Sequence, residues 1–248
     1  MNKMKTLITL ALFSFFALQL NAQVKKPAVK KTPAKKTTTV VKRTTTKSVK
    51  HVVPVAGTRI KVTTDSGVMI IRLYDKTPLH RDNFIKLANQ HFFDSLLFHR
   101  VISGFMIQGG DPQSKYAQAG AMLGNGDVGY TIPAEFDTSL YHKKGALAAA
   151  RTNNPEKASS GCQFYIVQGK KWSDEELNML EMQRGIKYSQ VQRNIYKTIG
   201  GTAQLDMNYT VFGEVESGFE VIDKIATVNR DGSNRPLGDI RMHIELIK

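Results

Sequence analysis

Residues 98–111 constrain this chain more than any other stretch. The run reads Phe98, His99, Arg100, Val101 and Ile102, then Ser103 and Gly104. It continues with Phe105, Met106, Ile107 and Gln108 and ends on Gly109, Gly110 and Asp111. Two short apolar runs flank a Ser-Gly turn signal, which predicts two strands and a tight connection. Strand alternation puts Phe98, Arg100 and Ile102 on one face and His99 and Val101 on the other. In the second strand Met106 and Gln108 share a face, opposite Ile107. A permanently charged guanidinium in so apolar a segment needs an outlet. Either Arg100 reaches solvent from a strand end, or it stands over an apolar surface, steadied by Gln108, with its donors aimed at a ligand carbonyl.

The segments on either side extend the β pattern. Residues 59–63 alternate, and residues 68–73 follow after Asp65, Ser66 and Gly67, a hairpin signal. Thr77 and Pro78 open a helix whose apolar stripe is Phe84, Leu87 and Ala88 and which frays near Gln90. Residues 109–135 are glycine-rich, but no Gly-Lys-Ser/Thr ending is present, so tight turns and not a phosphate loop are expected. Residues 145–150 read as a short buried strand of small residues, and 163–167 as another. Ser173 and Glu176 fit a capping box ahead of Leu177 and Leu180. Beyond Gly185, residues Tyr188, Val191, Ile195 and Ile199 recur at helical spacing, so two helices, or one bent at Gly185, are expected over 170–203. A strand at 210–215, a short helix at 218–227 and a last strand at 239–247 complete the pattern. Many short strands with few helices argue for a closed antiparallel barrel.

Charge divides the chain. The net charge is +14, from 35 Lys and Arg against 21 Asp and Glu, and residues 1–50 hold 12 of the basic residues and no acid. The remainder is close to neutral, so the sequence offers no dedicated nucleic-acid site in the folded part. Residues 1–22 read as a signal peptide: Lys3 and Lys5, an apolar run too short for a comfortable membrane span, then Ala22 before a cut. Residues 23–57, rich in Lys, Thr and Pro, cannot bury enough surface to offset chain entropy and read as a disordered linker. Attraction of that linker to an anionic envelope surface is a second expectation. Export follows, to the periplasm or as a secreted protein. The single cysteine, Cys162, allows no internal disulfide and no cysteine metal site. The histidines show no ligand spacing, and His99 is expected to be a satisfied structural residue.

Three ordered segments carry a family resemblance. Residues 98–111, residues 145–151 with 159–167, and Leu205-Asp206 with 209–215 resemble, in order and spacing, the cyclophilins, the peptidyl-prolyl cis-trans isomerases. The resemblance covers residues 58–248, apart from the insertion at 170–203. It implies a mainly β fold, a closed eight-stranded antiparallel barrel capped by two helices, here with a helical insertion. It implies action on proline-containing polypeptides; the chemistry needs no cofactor or metal, and a monomer is expected. Carried over by position, Arg100 and Gln108 take the catalytic roles. Phe105, Met106, Tyr165 and Leu205 match the proline pocket, and Ala150 and Gln163 match groove positions facing the preceding peptide backbone. Three positions depart from the common pattern: Arg151 where many members have Asn, Tyr209 where many have His, and Gln204 where many have Trp. Arg151 and Tyr209 are therefore expected to shape preferences for residues flanking proline, and the missing Trp weakens the case for tight cyclosporin binding.

The chemistry suits these residue types. Resonance sets a barrier of about 18–20 kcal/mol to rotation of a peptide bond, and X-Pro bonds exchange in tens to hundreds of seconds unaided. No bond is broken, so an enzyme needs only to bind the twisted amide better than the planar one. A fixed cation can do that by donating to the pyramidal nitrogen or to the carbonyl. The competing expectation is a non-catalytic proline-peptide binding module or chaperone of the cell envelope, which holds clients without needing turnover; the intact Arg100 favours the enzyme. Arginine stays charged across the neutral range. Activity is therefore expected to be nearly flat between about pH 6 and 8; a bell-shaped kcat/KM profile centred near 7 would contradict it.

Overall fold

The computed structural model describes residues 57–247; the signal peptide and nearly all of the linker expected from the sequence lie outside them. Ten strands and four α-helices follow in order. They are β1 (Arg59–Thr64), β2 (Gly67–Leu73), α1 (Pro78–Asn89), β3 (Phe98–Ile102), β4 (Met106–Gly109), β5 (Thr131–Ile132), β6 (Ala146–Ala149), β7 (Ser159–Ser160) and β8 (Phe164–Val167). Then come α2 (Asp174–Arg184), α3 (Gln190–Thr198), β9 (Val211–Ser217), α4 (Phe219–Ala226) and β10 (Met242–Ile247). Eight strands form one antiparallel sheet in the order β10-β1-β2-β9-β6-β8-β4-β3, and β5 pairs with β7 apart from it.

The sheet is curled into a half-barrel, not the continuous closed barrel expected. Its edge strands β3 and β10 share no ladder. They are joined by the single bridge Leu97–Arg241 and by backbone bonds from Phe98 N to Ile240 O and from Met242 N to Leu96 O. The contact is confined to residues 95–98 against 240–242, at the start of both strands, so no ladder extends between them. Strand β3 is itself irregular against β4. Phe98 pairs with Gly109 and Arg100 with Gln108, so His99 is an extra residue, a bulge. A bulge bends its strand and interrupts regular pairing.

That bulge also corrects the alternation expected for β3. Phe98 and Val101 both enter the main core, while Ile102 packs on the second cluster around Met106 and Tyr165. Phe98 and Arg100 therefore face opposite ways. The main core is built from the inner face of the sheet, α1 and α4. Phe84, Ile85, Leu87 and Ala88 of α1 and Val221, Ile222, Ile225 and Ala226 of α4 are buried in it. The ring of Phe84 stacks on Phe93 at 4.6 Å and meets Phe164 edge-on at 5.3 Å. Glu135 caps α1 from outside by accepting from the backbone N–H of Leu79 and His80, where a helix N-terminus favours an anion.

Helices α2 and α3 form their own small cluster with Leu177, Leu180, Tyr188, Tyr196 and Ala203. The capping box at Ser173 forms, and a second, Ser189 with Gln192, starts α3. Gly185, left-handed at φ 63°, ends α2. The expected apolar stripe on α3 does not face inward: Val191 is 67% and Ile199 51% exposed, whereas Tyr196 is fully buried. The Tyr196 hydroxyl donates to Asp206, and Arg193 reaches Asp174, Asn178 and Glu181. These polar bonds set the rotation of the helix against its apolar spacing.

The two ends of this helical pair meet where Gly169 crosses Gly201. Gly169 is left-handed at φ 69°, and a Cβ added there would lie 2.3 Å from the Gly201 Cα. Gly169→Ala would add a left-handed alanine to an unyielding backbone clash. It is expected to destabilise the fold by about 2–4 kcal/mol, read as a lower urea midpoint at unchanged m.

Candidate active site

Arg100 and Gln108 are direct partners across the β3–β4 ladder, so their side chains leave the sheet on one face. Arg100 Nη1 donates to Gln108 Oε1 at 3.1 Å and lies 4.0 Å from Met106 Sδ. Gln108 Nε2 donates in turn to Gln163 Oε1 at 3.1 Å. The Gln163 amide then donates to the carbonyls of Gly124 and Gly126, at 2.9 and 2.7 Å. The loop carrying those carbonyls is anchored by the buried Asp111 carboxylate, which accepts from Gln113 N and Gly124 N. A chain of hydrogen bonds thus runs from a buried carboxylate to the guanidinium. The Nε and Nη2 donors of Arg100 meet no acceptor among the described residues.

Beside the guanidinium lies a hollow of about 110 Å³, lined by Arg100, Phe105, Met106, Gln108, Ala150, Arg151, Tyr165, Leu205 and Tyr209. A larger groove of about 490 Å³ adjoins it and shares Gln108, Ala150 and Arg151; Gln163 lines its far side. Every site residue named from the sequence therefore lines one or the other. Two departures from the common pattern prove to be coupled. The Arg151 guanidinium lies over the Tyr209 ring at 4.8 Å, and its Nε donates to Asn208 O. Tyr209 in turn meets Tyr165 edge-on at 5.9 Å. Gln204 is exposed, and Trp172 packs against Tyr196 and donates to Gly201 O, away from the hollow.

Sequence reasoning missed what lies under the hollow. The Tyr165 hydroxyl bonds to His142 Nε2 at 2.9 Å. His142 Nδ1 meets Asp206 Oδ1 at 2.7 Å, and the same oxygen accepts from the His142 backbone N–H at 2.8 Å. Asp206 Oδ2 accepts from Tyr196 at 2.6 Å. With Asp206 ionised, Nδ1 carries the imidazole proton and Nε2 accepts from Tyr165. Burial raises the Tyr165 hydroxyl well above its ordinary pKa. The signal available in the sequence was a tyrosine at a pocket position, whose hydroxyl needs a partner once buried. His142 and Asp206 are 64 residues apart, and no local pattern pairs them.

His99, expected to be satisfied, is not: it is buried, and neither ring nitrogen has a partner. Among the described residues no group of three or more His, Cys, Asp and Glu could hold a metal ion.

The family model for the cyclophilin type peptidyl-prolyl cis-trans isomerases matches residues 59–245. The chain belongs to this family. Over 183 residues it is 33% identical to a Staphylococcus aureus protein assigned as a peptidyl-prolyl cis-trans isomerase, covering 73% of this chain and 87% of that one. It is 35% identical over 187 residues to a protein of Streptococcus pyogenes serotype M6 assigned as a bifunctional phosphatase/peptidyl-prolyl cis-trans isomerase. That match takes in 74% of this chain but only 37% of the streptococcal protein. Among solved structures, a cyclophilin type isomerase of Cryptosporidium parvum shares the fold at a TM-score of 0.59 and 22% identity, over 77% of this chain and 98% of that one. The same parasite protein, solved in the presence of the dipeptide Ala-Pro, matches at a TM-score of 0.55. The chain is thus a cyclophilin-type peptidyl-prolyl cis-trans isomerase.

The buried imidazole has a consequence for stability. Burial lowers the His99 pKa to about 4, against opposition from Asp111. The unfolded chain takes up that proton near pH 6.5, so the contribution is complete above that value and is lost as pH falls towards about 4. Unfolding free energy is expected to drop by about 2–3 kcal/mol over that interval from this group. His99→Gln should flatten that part of the profile, measured by urea unfolding at successive pH values.

Proposed function

We propose that this isomerase speeds rotation about X-Pro bonds in exported proteins through Arg100, and so assists their folding. The observation that carries the reading is the guanidinium held by Gln108 at the rim of an apolar hollow, with donors still unpaired. Phe105, Met106, Tyr165 and Leu205 receive the proline ring. Ala150 and Gln163 line the path of the residues before it, and Arg151 with Tyr209 forms one composite wall that touches the flanking side chains. The Cryptosporidium protein solved in the presence of Ala-Pro supports a proline-containing peptide as ligand.

Rotation proceeds as follows. The ring, seated in the hollow, holds one side of the amide while the other side turns. As conjugation is lost the nitrogen regains its lone pair, and Arg100 donates to it or to the carbonyl. The gain comes only if that bond is stronger in the twisted state. A rate increase of 10⁵ requires about 7 kcal/mol, of which a charge-assisted bond in a water-poor site supplies about 3–4 kcal/mol. Gln108 and Gln163 keep the cation from swinging to solvent, so little reorganisation is needed at the transition state.

Residues 1–22 act as a signal peptide, and 23–57 as a basic linker drawn to anionic envelope surfaces; the product is periplasmic or secreted, and monomeric. The charge asymmetry supports this reading: 12 basic residues and no acid in the first 50. The rival reading, a proline-peptide module without turnover, is separated by one variant. In a protease-coupled assay on proline tetrapeptides, Arg100→Ala is expected to lower kcat/KM about 10²–10³-fold while the peptide still binds. Peptide binding by the wild-type chain with no acceleration above the uncatalysed rate, and none lost in Arg100→Ala, would return the domain to the binding-module class.

A further inference from the structure

Two walls of the proline hollow, Tyr165 and Leu205, come from segments that do not pair with each other. Tyr165 is in β8, and Leu205 ends the three-residue turn Ala203–Leu205. Short turns of this kind make few bonds of their own. Here Leu205 N donates to Thr202 O and Asp206 N to Ala203 O. Three backbone carbonyls of this turn and of the residue after it accept from side chains of residues 170–203. Arg184 donates to Gln204 O and Asp206 O, and Tyr188 to Ala203 O. From the opposite side, the Asp206 carboxylate accepts from His142 twice and from Tyr196 of α3. His142 then meets the hydroxyl of Tyr165.

We propose that the helical insertion is the positioning element of the proline pocket. It acts through Arg184 on the turn that carries Leu205, and through Tyr196, Asp206 and His142 on Tyr165. This rests on the reading that the hollow beside Arg100 receives the proline ring. A brace that served the fold alone would need only the apolar packing of Leu177, Leu180 and Tyr188. Instead the polar chain ends on a residue lining the pocket. Apolar contacts tolerate several arrangements of similar energy, whereas a buried, fully bonded carboxylate tolerates one, because any displacement leaves a donor or acceptor unpaired. His142, Asp206, Tyr196 and Arg184 are therefore positioning residues. They touch no substrate, but they set the distance between the two walls that grip the ring. The grip acts equally on planar and twisted amide, so its loss should appear in KM and not in kcat.

The test uses the full chain with steady-state kinetics on proline tetrapeptides, titration of Ala-Pro, and urea unfolding to establish that each variant is folded. Arg184→Ala removes two bonds at a half-buried surface position, and Tyr196→Phe removes one from Asp206. Each is expected to raise KM about three- to tenfold, weaken Ala-Pro binding by a similar factor, and leave kcat within about twofold. Arg184→Lys, which restores a donor, should recover part of the loss. Lys187→Ala, in the same insertion but paired only with Glu181, should keep the wild-type KM. If Arg184→Ala and Tyr196→Phe lower stability yet bind Ala-Pro as wild type does, the proposal is overturned and the insertion serves the fold alone. A fall in kcat at unchanged KM overturns it as well. Full activity in Arg100→Ala is a different failure: it removes the site reading beneath the proposal.

Discussion

The bond from Arg100 to Gln108 organises this molecule, and it exists because of register. Cross-strand neighbours in an antiparallel pair stand about 4.5–5.5 Å apart at Cβ, close enough for a long cation and an amide to meet. The pairing of residue 100 with 108 is set by the tight turn at 103–104, and the extra residue at His99 shifts only Phe98, which lies beyond it. Without the bulge, Phe98 and Arg100 would share a face, and the sheet would have to bury a cation in the core or expose a phenylalanine. The bulge separates them. Phe98 joins the aromatic core, and Arg100 stands at the hollow. It also leaves His99 buried with neither ring nitrogen hydrogen-bonded, beside Arg100.

The second constraint is polar and runs the length of the groove. Asp111 holds the loop at Gly124, that loop holds Gln163, Gln163 holds Gln108, and Gln108 holds Arg100. Gly126 fits this arrangement because a Cβ there would lie 2.0 Å from the Asp111 carboxylate. On the opposite wall, Arg151 and Tyr209 stack as a pair and reach Tyr165. Changes that look independent along the chain are one surface in space. A cation over a ring is held there, and the bonds from Arg151 to the carbonyls of Asn208 and Thr152 fix it further.

The sequence carried the lining of the hollow better than it carried the shape. Residues 98–111 combine a strand period, a turn and a fixed charge, and all nine lining residues of the hollow could be named from three matched segments. The strand phase at Phe98 could not be read, because a single inserted residue leaves the local pattern of apolar and polar positions unchanged. The α3 surface was misread for a related reason. Counting apolar spacing selects Val191 and Ile199, whereas the helix turns on the hydroxyl of Tyr196 and on the contacts of Arg193. Closure of the barrel was overstated because pairing between β3 and β10 depends on backbone geometry at one bridge, not on composition.

The same reasoning explains why the layer beneath the pocket stayed hidden. Apolar walls announce themselves by residue type, but the groups that hold such walls in place are ordinary polar residues far apart in sequence. His142 sits in a loop before β6, Asp206 follows a three-residue turn, and Tyr196 belongs to α3; none lies in a motif. What unites them is that each is buried with its polar atoms paired. A buried tyrosine lining the hollow brings a hydroxyl that must be satisfied inside the protein. Satisfying it required a histidine, the histidine required an acceptor for its second nitrogen, and the acceptor's second oxygen required a donor. Each step moved outward from the pocket and ended in the helical insertion. The insertion is therefore best understood from the inside, as the outermost member of a polar chain that begins at Tyr165 in the hollow beside Arg100.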